Sequence, residues 1–286
     1  MLWRGGRESS NVEDRRGMSG GRMVAGGGIG ALVIGLIYML LGGDPSTLQS
    51  GNQQVQSGQR TERSAAENEQ ASFTKVVLGY TEDIWDSLFT AQGDHYRTPS
   101  LVMFTDATES GCGYASQASG PFYCPGDEKV YIDLSFFNEL HDRFGVSGNF
   151  ASAYVIAHEV GHHIQKLMGT TDAVDREHGK RSEAEYNKLS VKLELQADFL
   201  AGVWAHYAQN RKLEGKPIIA ESDIESALSA ANAIGDDRLQ KQSKGYVVPD
   251  AFTHGTSAQR MYWFKKGYTT GDIRQGDTFN AGSLNE

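Results

Sequence analysis

The chain has 286 residues and a formal net charge of −9 at pH 7. Seven basic and seven acidic side chains balance each other in the first 72 residues, so the excess of acid falls on the remainder. That acidic remainder argues against nucleic-acid binding and against electrostatic docking on anionic lipid. The length is sufficient for one well-buried domain.

The start of the chain contains one long apolar run, residues 23–41, which has no charged side chain. As a helix this run would rise about 28 Å, close to a hydrocarbon core of about 30 Å. Arginines precede the run, and neither lysine nor arginine follows it before Arg60. The positive-inside rule therefore predicts residues 1–22 in the cytoplasm, a transmembrane helix at 23–41 and all later residues outside. A cleaved signal peptide is the alternative, but the run is long for one and no A-x-A site follows it.

Residues 42–71 predict a flexible linker, because they are rich in Gly, Ser, Gln and Glu and almost lack large apolar side chains. The folded domain is expected over residues 72–286. Its first elements are a helix at 73–91, from apolar side chains at helical spacing, and strands at 100–105 and 129–134. Four further helices are predicted, at 150–168, 182–209, 222–233 and 256–266. The domain is therefore α+β and mostly helical, with a small sheet.

Two cysteines, Cys112 and Cys124, lie between the predicted strands. An even pair in an exported domain favours a disulfide, which would stabilise the fold by about 3 kcal/mol in the loop-entropy model. The alternative is a pair of inert thiols. Neither interpretation makes the cysteines catalytic.

The helix predicted at 150–168 carries the pattern H-E-x-x-H at His158, Glu159 and His162. Residues four apart share one face of a helix, so the two imidazoles can converge on one metal ion. Glu159 lies about 100° round the helix from His158, where it can take a proton from a metal-bound water. A metzincin would need a third histidine at position 168, where this chain has Met168. The pattern therefore favours a different class of zinc site, with its third ligand elsewhere.

A third ligand is predicted in the next helix, where Glu194 and Asp198 are four residues apart and share one face. Burying two carboxylates without partners would be costly. A zinc ion held by His158, His162 and Glu194 would supply one partner and leave the fourth position for water. Asp198 would then accept the remaining ring N–H of a ligand histidine, with His158 the expected donor. The alternative for both carboxylates is an ordinary solvated helix face.

These segments resemble a known family. H-E-V-G-H followed by E-L-Q-A-D is similar to the gluzincin arrangement. The segments S-G-P-F-Y-C-P from Ser119, V-Y-I-D-L-S from Val130 and H-G-T-S-A-Q-R from His254 resemble the bacterial neutral zinc metallopeptidases, which are small membrane-anchored proteins. The resemblance covers essentially the whole chain. It implies a zincin-like (gluzincin) metallopeptidase domain in the bacterial cell membrane, periplasmic or extracellular, with Zn²⁺ at the two histidines and Glu194.

His254, which precedes the last predicted helix, is the remaining candidate for a catalytic role. In thermolysin-like enzymes a histidine downstream of the glutamate ligand stabilises the oxyanion of the tetrahedral intermediate. By this likeness His254 is expected to do the same here. Arg260, Tyr246 or Tyr262 could share that role, and a histidine bonded to nearby backbone is the structural alternative.

The sequence thus predicts a membrane-anchored zinc endopeptidase that acts on a peptide or protein, with its oligomeric state left open. Zinc would polarise the scissile carbonyl and a bound water, and Glu159 would carry the proton from that water to the leaving amine. One alternative is a non-catalytic, zinc-stabilised scaffold or partner-binding domain in the envelope, which a fourth protein ligand would favour. Another is a zinc amidase for a non-protein amide, which a closed pocket in place of an open strand edge would favour.

Overall fold

The computed structural model describes residues 1–17, 64–146 and 148–285. The apolar run predicted to cross a membrane, 23–41, lies outside the described residues, as does most of the predicted linker. Within the described ranges, every helix is either too short or too polar to cross a membrane.

The strands in the described residues are β1 (Val12–Asp14), β2 (Ser100–Phe104), β3 (Ala107–Ser110), β4 (Gly113–Ser116), β5 (Phe122–Cys124), β6 (Lys129–Asp133), β7 (Lys212–Leu213) and β8 (Lys216–Pro217). A four-stranded mixed sheet forms one layer of the domain, in the strand order β1-β2-β6-β5. β1, β2 and β6 are parallel, and β5 pairs antiparallel with β6 at the edge. Two small hairpins, β3-β4 and β7-β8, stand beside it.

Helices form the other layer, and most of the described residues after β6 are helical. Those in the described residues are α1 (Ala65–Ala91), α2 (Ser135–Asp142), α3 (Asn149–Leu167), α4 (Thr170–Asp175), α5 (Glu183–Ala208), α6 (Glu221–Ala233), α7 (Asp236–Lys244) and α8 (Ser257–Thr270). The predicted α+β class with a small sheet is confirmed, and so is the predicted disulfide between Cys112 and Cys124. The predicted strands and later helices agree with the observed bounds to within a few residues.

Helices α3, α5 and α8 pack together at the centre of the domain. A methyl group on Gly202 of α5 would lie 2.1 Å from the carbonyl oxygen of Phe264, and one on Gly267 of α8 would lie 2.0 Å from that of Phe199. Neither position has room for a side chain, so the backbones of α5 and α8 touch directly. This contact brings the start of α8 against the middle of α5.

Residues 1–17 are part of the domain. β1 forms a parallel pair with β2. Trp3 is buried, and its ring meets that of Phe73 edge-on, with ring centres 5.6 Å apart. The buried carboxylate of Glu82 in α1 accepts hydrogen bonds from Ser9 Oγ at 2.6 Å and Asn11 Nδ2 at 2.7 Å. Strand pairing, an aromatic contact and hydrogen bonds therefore all hold the start of the chain to the fold.

The predicted separation of residues 1–22 from the domain is accordingly wrong for the described residues 1–17. The strand Val12–Asp14 has the sequence V-E-D, which lacks the apolar alternation by which strands are recognised. Its arginine-rich surroundings are equally typical of a tail flanking a membrane helix. Pairing with a distant strand decides its structure, and that pairing has no local signal.

The predicted boundary between linker and domain, at residues 71 and 72, is also wrong. Helix α1 begins at Ala65, because Ser64 and Glu67 form a capping box in which each side chain accepts the backbone N–H of the other. The first turns of α1 are exposed and polar, so composition alone resembles that of a linker. The capping pattern S-x-x-E was the available signal.

Candidate metal centre

The three predicted ligands converge between α3 and α5. One donor atom from each of His158, His162 and Glu194 lies within 4.8 Å of the other two. The Glu194 carboxylate spans both rings, with Oε2 3.1 Å from His158 Nε2 and Oε1 3.4 Å from His162 Nε2. The two rings are nearly perpendicular, and their centres are 4.8 Å apart. Three donor groups therefore face one common position.

Close packing of α3 on α5 sets the distance between the histidines and the carboxylate. A methyl group on Gly161 would lie 2.9 Å from the carbonyl oxygen of Ala197. A larger residue at 161 would push the helices apart. Ala197 lies about one turn after Glu194, so this contact holds the carboxylate opposite the two rings.

Asp198 holds the outer nitrogen of His158. Its Oδ1 lies 2.8 Å from His158 Nδ1 and accepts a 2.5 Å hydrogen bond from Tyr154 Oη. Arg260 of α8 donates to both carboxylate oxygens, from Nε at 2.8 Å and from Nη2 at 3.0 Å. All four side chains are buried. Burial alone would raise the pKa of Asp198, but the charges of Arg260 and His158 hold that pKa at about 2. The ionised carboxylate accepts from Nδ1–H and leaves Nε2 facing the ligand position.

The outer nitrogen of His162 has a neutral partner. His162 Nδ1 lies 2.8 Å from Oε1 of Gln165, a fully buried side chain three residues further along α3. Gln165 is not among the site residues predicted from the sequence. The signal was available, because residues three apart on a helix are neighbours.

Glu159 lies beside the ligands with a carboxylate that no described residue bonds. The side chain is buried, at 7 % exposure. Burial raises its pKa, the charges of His158 and His162 lower it, and the net direction is upward. A buried carboxylate with a raised pKa and no protein partner is suited to accept a proton from water at the site.

His254 is held at the site by Asp236, the first residue of α7. Asp236 Oδ2 accepts the backbone N–H groups of Thr253, His254 and Gly255 at 2.8, 2.6 and 3.1 Å. Its Oδ1 lies 3.3 Å from His254 Nδ1. Nε2 of His254 has no hydrogen-bond partner in the described part of the chain. Burial lowers the pKa of His254, but Glu194 and Asp236 outweigh it and the net direction is upward. A methyl group on the neighbouring Gly255 would lie 3.3 Å from Cδ2 of Leu195, so the segment carrying His254 packs against the part of α5 that carries Glu194.

The other residues predicted to share the oxyanion role do not join His254 in the structure. Arg260 is committed to Asp198, as described above. Tyr246 is 62 % exposed, and Tyr262 packs edge-on against Trp263 with ring centres 5.5 Å apart. Neither tyrosine bonds to a site residue within the described ranges. Asp236 was not foreseen, because its contact with His254 spans 18 positions and depends on how α7 meets α8.

The donor set fits zinc. Two imidazole nitrogens and one carboxylate oxygen are the protein ligands of a catalytic His₂Glu site, which keeps a fourth position for water or substrate. The outer nitrogens of both histidines have hydrogen-bond partners, as ligand histidines require. His158, His162 and Glu194 would hold the ion, with Asp198 and Gln165 behind the two rings.

Comparison with known proteins identifies relatives along the whole chain. The "Uncharacterized protein YpfJ" of Escherichia coli K12 is 48 % identical over 288 aligned positions, which cover 98 % of this chain and 99 % of the relative. The "Uncharacterized protein Rv2575" of Mycobacterium tuberculosis H37Rv is 43 % identical over 216 positions, covering 73 % of this chain and 71 % of the relative. No solved structure matches the chain. Residues 1–279 match the family described as "Putative neutral zinc metallopeptidase", and the chain belongs to that family.

Proposed function

We propose that this protein is a zinc-dependent peptidase that cleaves peptide bonds with Glu159 as general base. The observation that carries the proposal is the convergence of His158, His162 and Glu194 on one position beside Glu159. A zinc ion held there would supply Lewis-acid polarisation of a substrate carbonyl and of a water. Family membership supports the same chemistry.

Glu159 and His254 divide the remaining work between them. Glu159 accepts a proton from water and returns it to the leaving amine, which its raised pKa favours. His254 donates a hydrogen bond from Nε2 to the oxyanion when its ring is protonated, while Nδ1 faces Thr253 Oγ1 at 2.9 Å and Asp236 Oδ1 at 3.3 Å. The raised pKa of His254 favours that protonated ring. Asp236 is the positioning residue for His254.

The edge of the sheet next to α3, the helix that carries His158 and His162, favours a peptide as the substrate. Among the described strands β5 pairs only with β6, so it forms one of the two edges of the sheet, opposite β1. Tyr123 of β5 bonds through its hydroxyl to Nδ1 of His163 in α3, at 3.1 Å. An extended chain can add to such an edge by backbone hydrogen bonds. We also propose that the domain has a zincin-like fold, since α3 carries the histidine ligands and lies beside a small mixed sheet.

The two alternative functions make different demands on the site. A structural zinc scaffold is usually closed by four protein ligands. The described residues supply three, and Glu159 has no use in a closed site. A zinc amidase for a non-protein amide would use the same residues, and the choice of substrate separates it from a peptidase.

We propose that the domain works outside the cytoplasm and stays attached to the membrane. The disulfide between Cys112 and Cys124 supports the location, because disulfides persist in oxidising compartments. The apolar run at 23–41 supports the attachment, and the pairing of β1 with β2 requires residues 1–17 and the domain to lie on the same side of the membrane.

The experiment that tests the proposed function compares the parent chain with a Glu194→Ala variant. We expect equimolar zinc in the purified parent by elemental mass spectrometry, and cleavage of internal bonds in an unstructured peptide library. The variant should lose most of the zinc and all of the cleavage, because a ligand is missing. Equimolar zinc with cleavage of small non-peptide amides only would replace the peptidase with an amidase. A parent free of zinc under conditions that preserve metal sites would refute the proposal.

Zinc binding should release a proton from His158. Burial alone would lower the pKa of His158, but the charge of Asp198 and the hydrogen bonds to Asp198 and Glu194 raise it to about 10 in the metal-free protein. His158 is therefore protonated at neutral pH, and zinc must displace that proton from Nε2. Zinc affinity should accordingly rise as the pH rises, by about tenfold per unit for one proton, and level off above the His158 pKa. Calorimetry in buffers of different ionisation enthalpy measures the released proton, and affinity independent of pH would contradict the expectation.

A further inference from the structure

We propose that the segment following α8 positions the zinc ligand His162, through a chain of buried amides that runs from Gly276 to Gln196 to Gln165. Both glutamines are positioning residues, since neither is a metal ligand. The inference rests on the proposed zinc site, and it assigns a role to the end of the domain, which lies far from the motif in sequence.

The hydrogen bonds along the chain of buried amides have only one possible direction from donor to acceptor. Gln165 Nε2 donates to the carbonyl oxygen of Leu193 at 2.6 Å, and Gln196 Nε2 donates to that of Gly276 at 2.9 Å. A backbone carbonyl only accepts, so each contact fixes which end of the amide is NH₂. Gln196 Oε1 therefore faces Gln165 Nε2, at 3.2 Å, and Gln165 Oε1 faces His162.

The direction of the hydrogen bonds along the chain of buried amides decides which nitrogen of the neutral His162 ring carries the proton. Gln165 Oε1 can only accept, so His162 Nδ1 donates to it across 2.8 Å. Nε2 is then the unprotonated nitrogen of the neutral ring, and it faces Glu194 Oε1. The tautomer that a metal ligand needs is thus fixed by two backbone carbonyls, through two amides.

Burial makes this arrangement costly to break. Gln165 is fully buried and Gln196 is 7 % exposed. Turning either amide round would set N–H against N–H or oxygen against oxygen without access to water. Leaving a buried polar group without a hydrogen-bond partner is costly, so the observed orientation is strongly preferred.

The segment that ends the chain of amides is itself fixed on α5. Thr278 Oγ1 donates to the carbonyl oxygen of Lys192 at 2.6 Å, and Lys192 Nζ donates to that of Phe279 at 3.0 Å. A methyl group on Gly276 would lie 2.4 Å from Cδ1 of the buried Phe199 ring. Only glycine allows the backbone at 276 to come near enough to accept from Gln196.

The test measures zinc affinity in the full-length chain by competition with a chromophoric chelator, and the absorption spectrum of the cobalt-substituted protein. The variants are Gln165→Met, Gln196→Met and Gly276→Ala. Gly282→Ala is the matched control, because a methyl group there meets nothing within 4 Å. Leu78→Ala, in the fully buried part of α1, controls for lost stability alone. Thermal unfolding of each metal-free variant shows that it folds.

We expect Gln165→Met to raise the zinc dissociation constant by about 10–100-fold and to change the cobalt spectrum, since a partner of a ligand histidine is lost. Gln196→Met and Gly276→Ala should shift both quantities in the same direction by less, and Gly282→Ala and Leu78→Ala should shift neither. Unchanged affinity and spectrum in Gln165→Met would overturn the inference while leaving the proposed function intact. Equal losses in Gln165→Met and Leu78→Ala would also overturn it, in favour of general stability. Absence of zinc from the parent would overturn both proposals.

Discussion

Replacing Glu159 with glutamine is expected to lower peptide hydrolysis by about 10²–10⁴-fold, the usual contribution of a general base. Zinc content should stay equimolar, because Glu159 is not among the three ligands. The substitution preserves the size of the side chain and removes its ability to take a proton at neutral pH. The measurement is turnover of a peptide that the parent cleaves, together with zinc content of the same preparation.

Glu183→Gln provides the matched control for this substitution. Glu183 is exposed in the first turn of α5, and loss of its charge should leave hydrolysis unchanged. Loss of zinc from Glu159→Gln would mean that the carboxylate supports the metal. Parental turnover in zinc-loaded Glu159→Gln would show that another group takes the proton.

Replacing Arg260 with methionine is expected to destabilise the folded protein by about 3–5 kcal/mol, the usual cost of removing one partner from a buried ion pair. Arg260 is 2 % exposed and Asp198 is 0 % exposed, so the buried carboxylate would keep only His158 as a charged partner. Denaturant unfolding of the metal-free protein measures the loss. Zinc affinity should also fall, because Asp198 would no longer be held ionised behind His158.

Arg274→Met is the matched control for the loss of an arginine–aspartate pair. Arg274 bonds Asp272 in the same bidentate way, but its side chain is 90 % exposed. Exposed pairs contribute little to stability because water screens them, so little change is expected. Adding Asp198→Asn to Arg260→Met should restore part of the lost stability, since no buried charge is then unpaired. Equal effects of the two arginine substitutions would contradict the assigned role of Arg260.

The pH dependence of stability should follow Asp198. Its folded-state pKa of about 2 lies below the ordinary value of 3.8. A lowered pKa stabilises the fold at pH values above the ordinary pKa, and that contribution is lost as the pH falls through the folded-state value. In Arg260→Met the pKa of Asp198 should rise, so acid unfolding should begin at a higher pH.

Local spacing made most of the ligand set predictable. His158 and His162 are four residues apart on one helix, and Glu194 and Asp198 are four apart on another, so helical geometry alone places each pair on one face. The predicted elements followed from the same periodicity. Once both segments are recognised as helices, the four-residue spacing is enough to propose which side chains meet at the metal centre.

The groups behind the ligands depend on tertiary contacts instead. Arg260 reaches Asp198 across 62 positions, because glycines in α5 and α8 let these helices touch. Asp236 reaches His254 across 18 positions. Neither contact has a spacing that a sequence pattern reveals. Sequence patterns therefore allow Arg260 to share the oxyanion role with His254, whereas in the structure its guanidinium is bonded to Asp198 inside the domain.

The pairing of β1 with β2 also requires the start of the chain to lie on the same side of a membrane as the rest of the domain. Paired strands are about 4.8 Å apart, whereas a hydrocarbon core is about 30 Å thick, so no bilayer can separate them. Residues 1–17 and the metal centre must share one compartment. If the disulfide-bearing domain works outside the cytoplasm, Arg4, Arg7, Arg15 and Arg16 lie outside with it, against the positive-inside rule. The fold is thus incompatible with a cytoplasmic N-terminus on a domain that faces the other side.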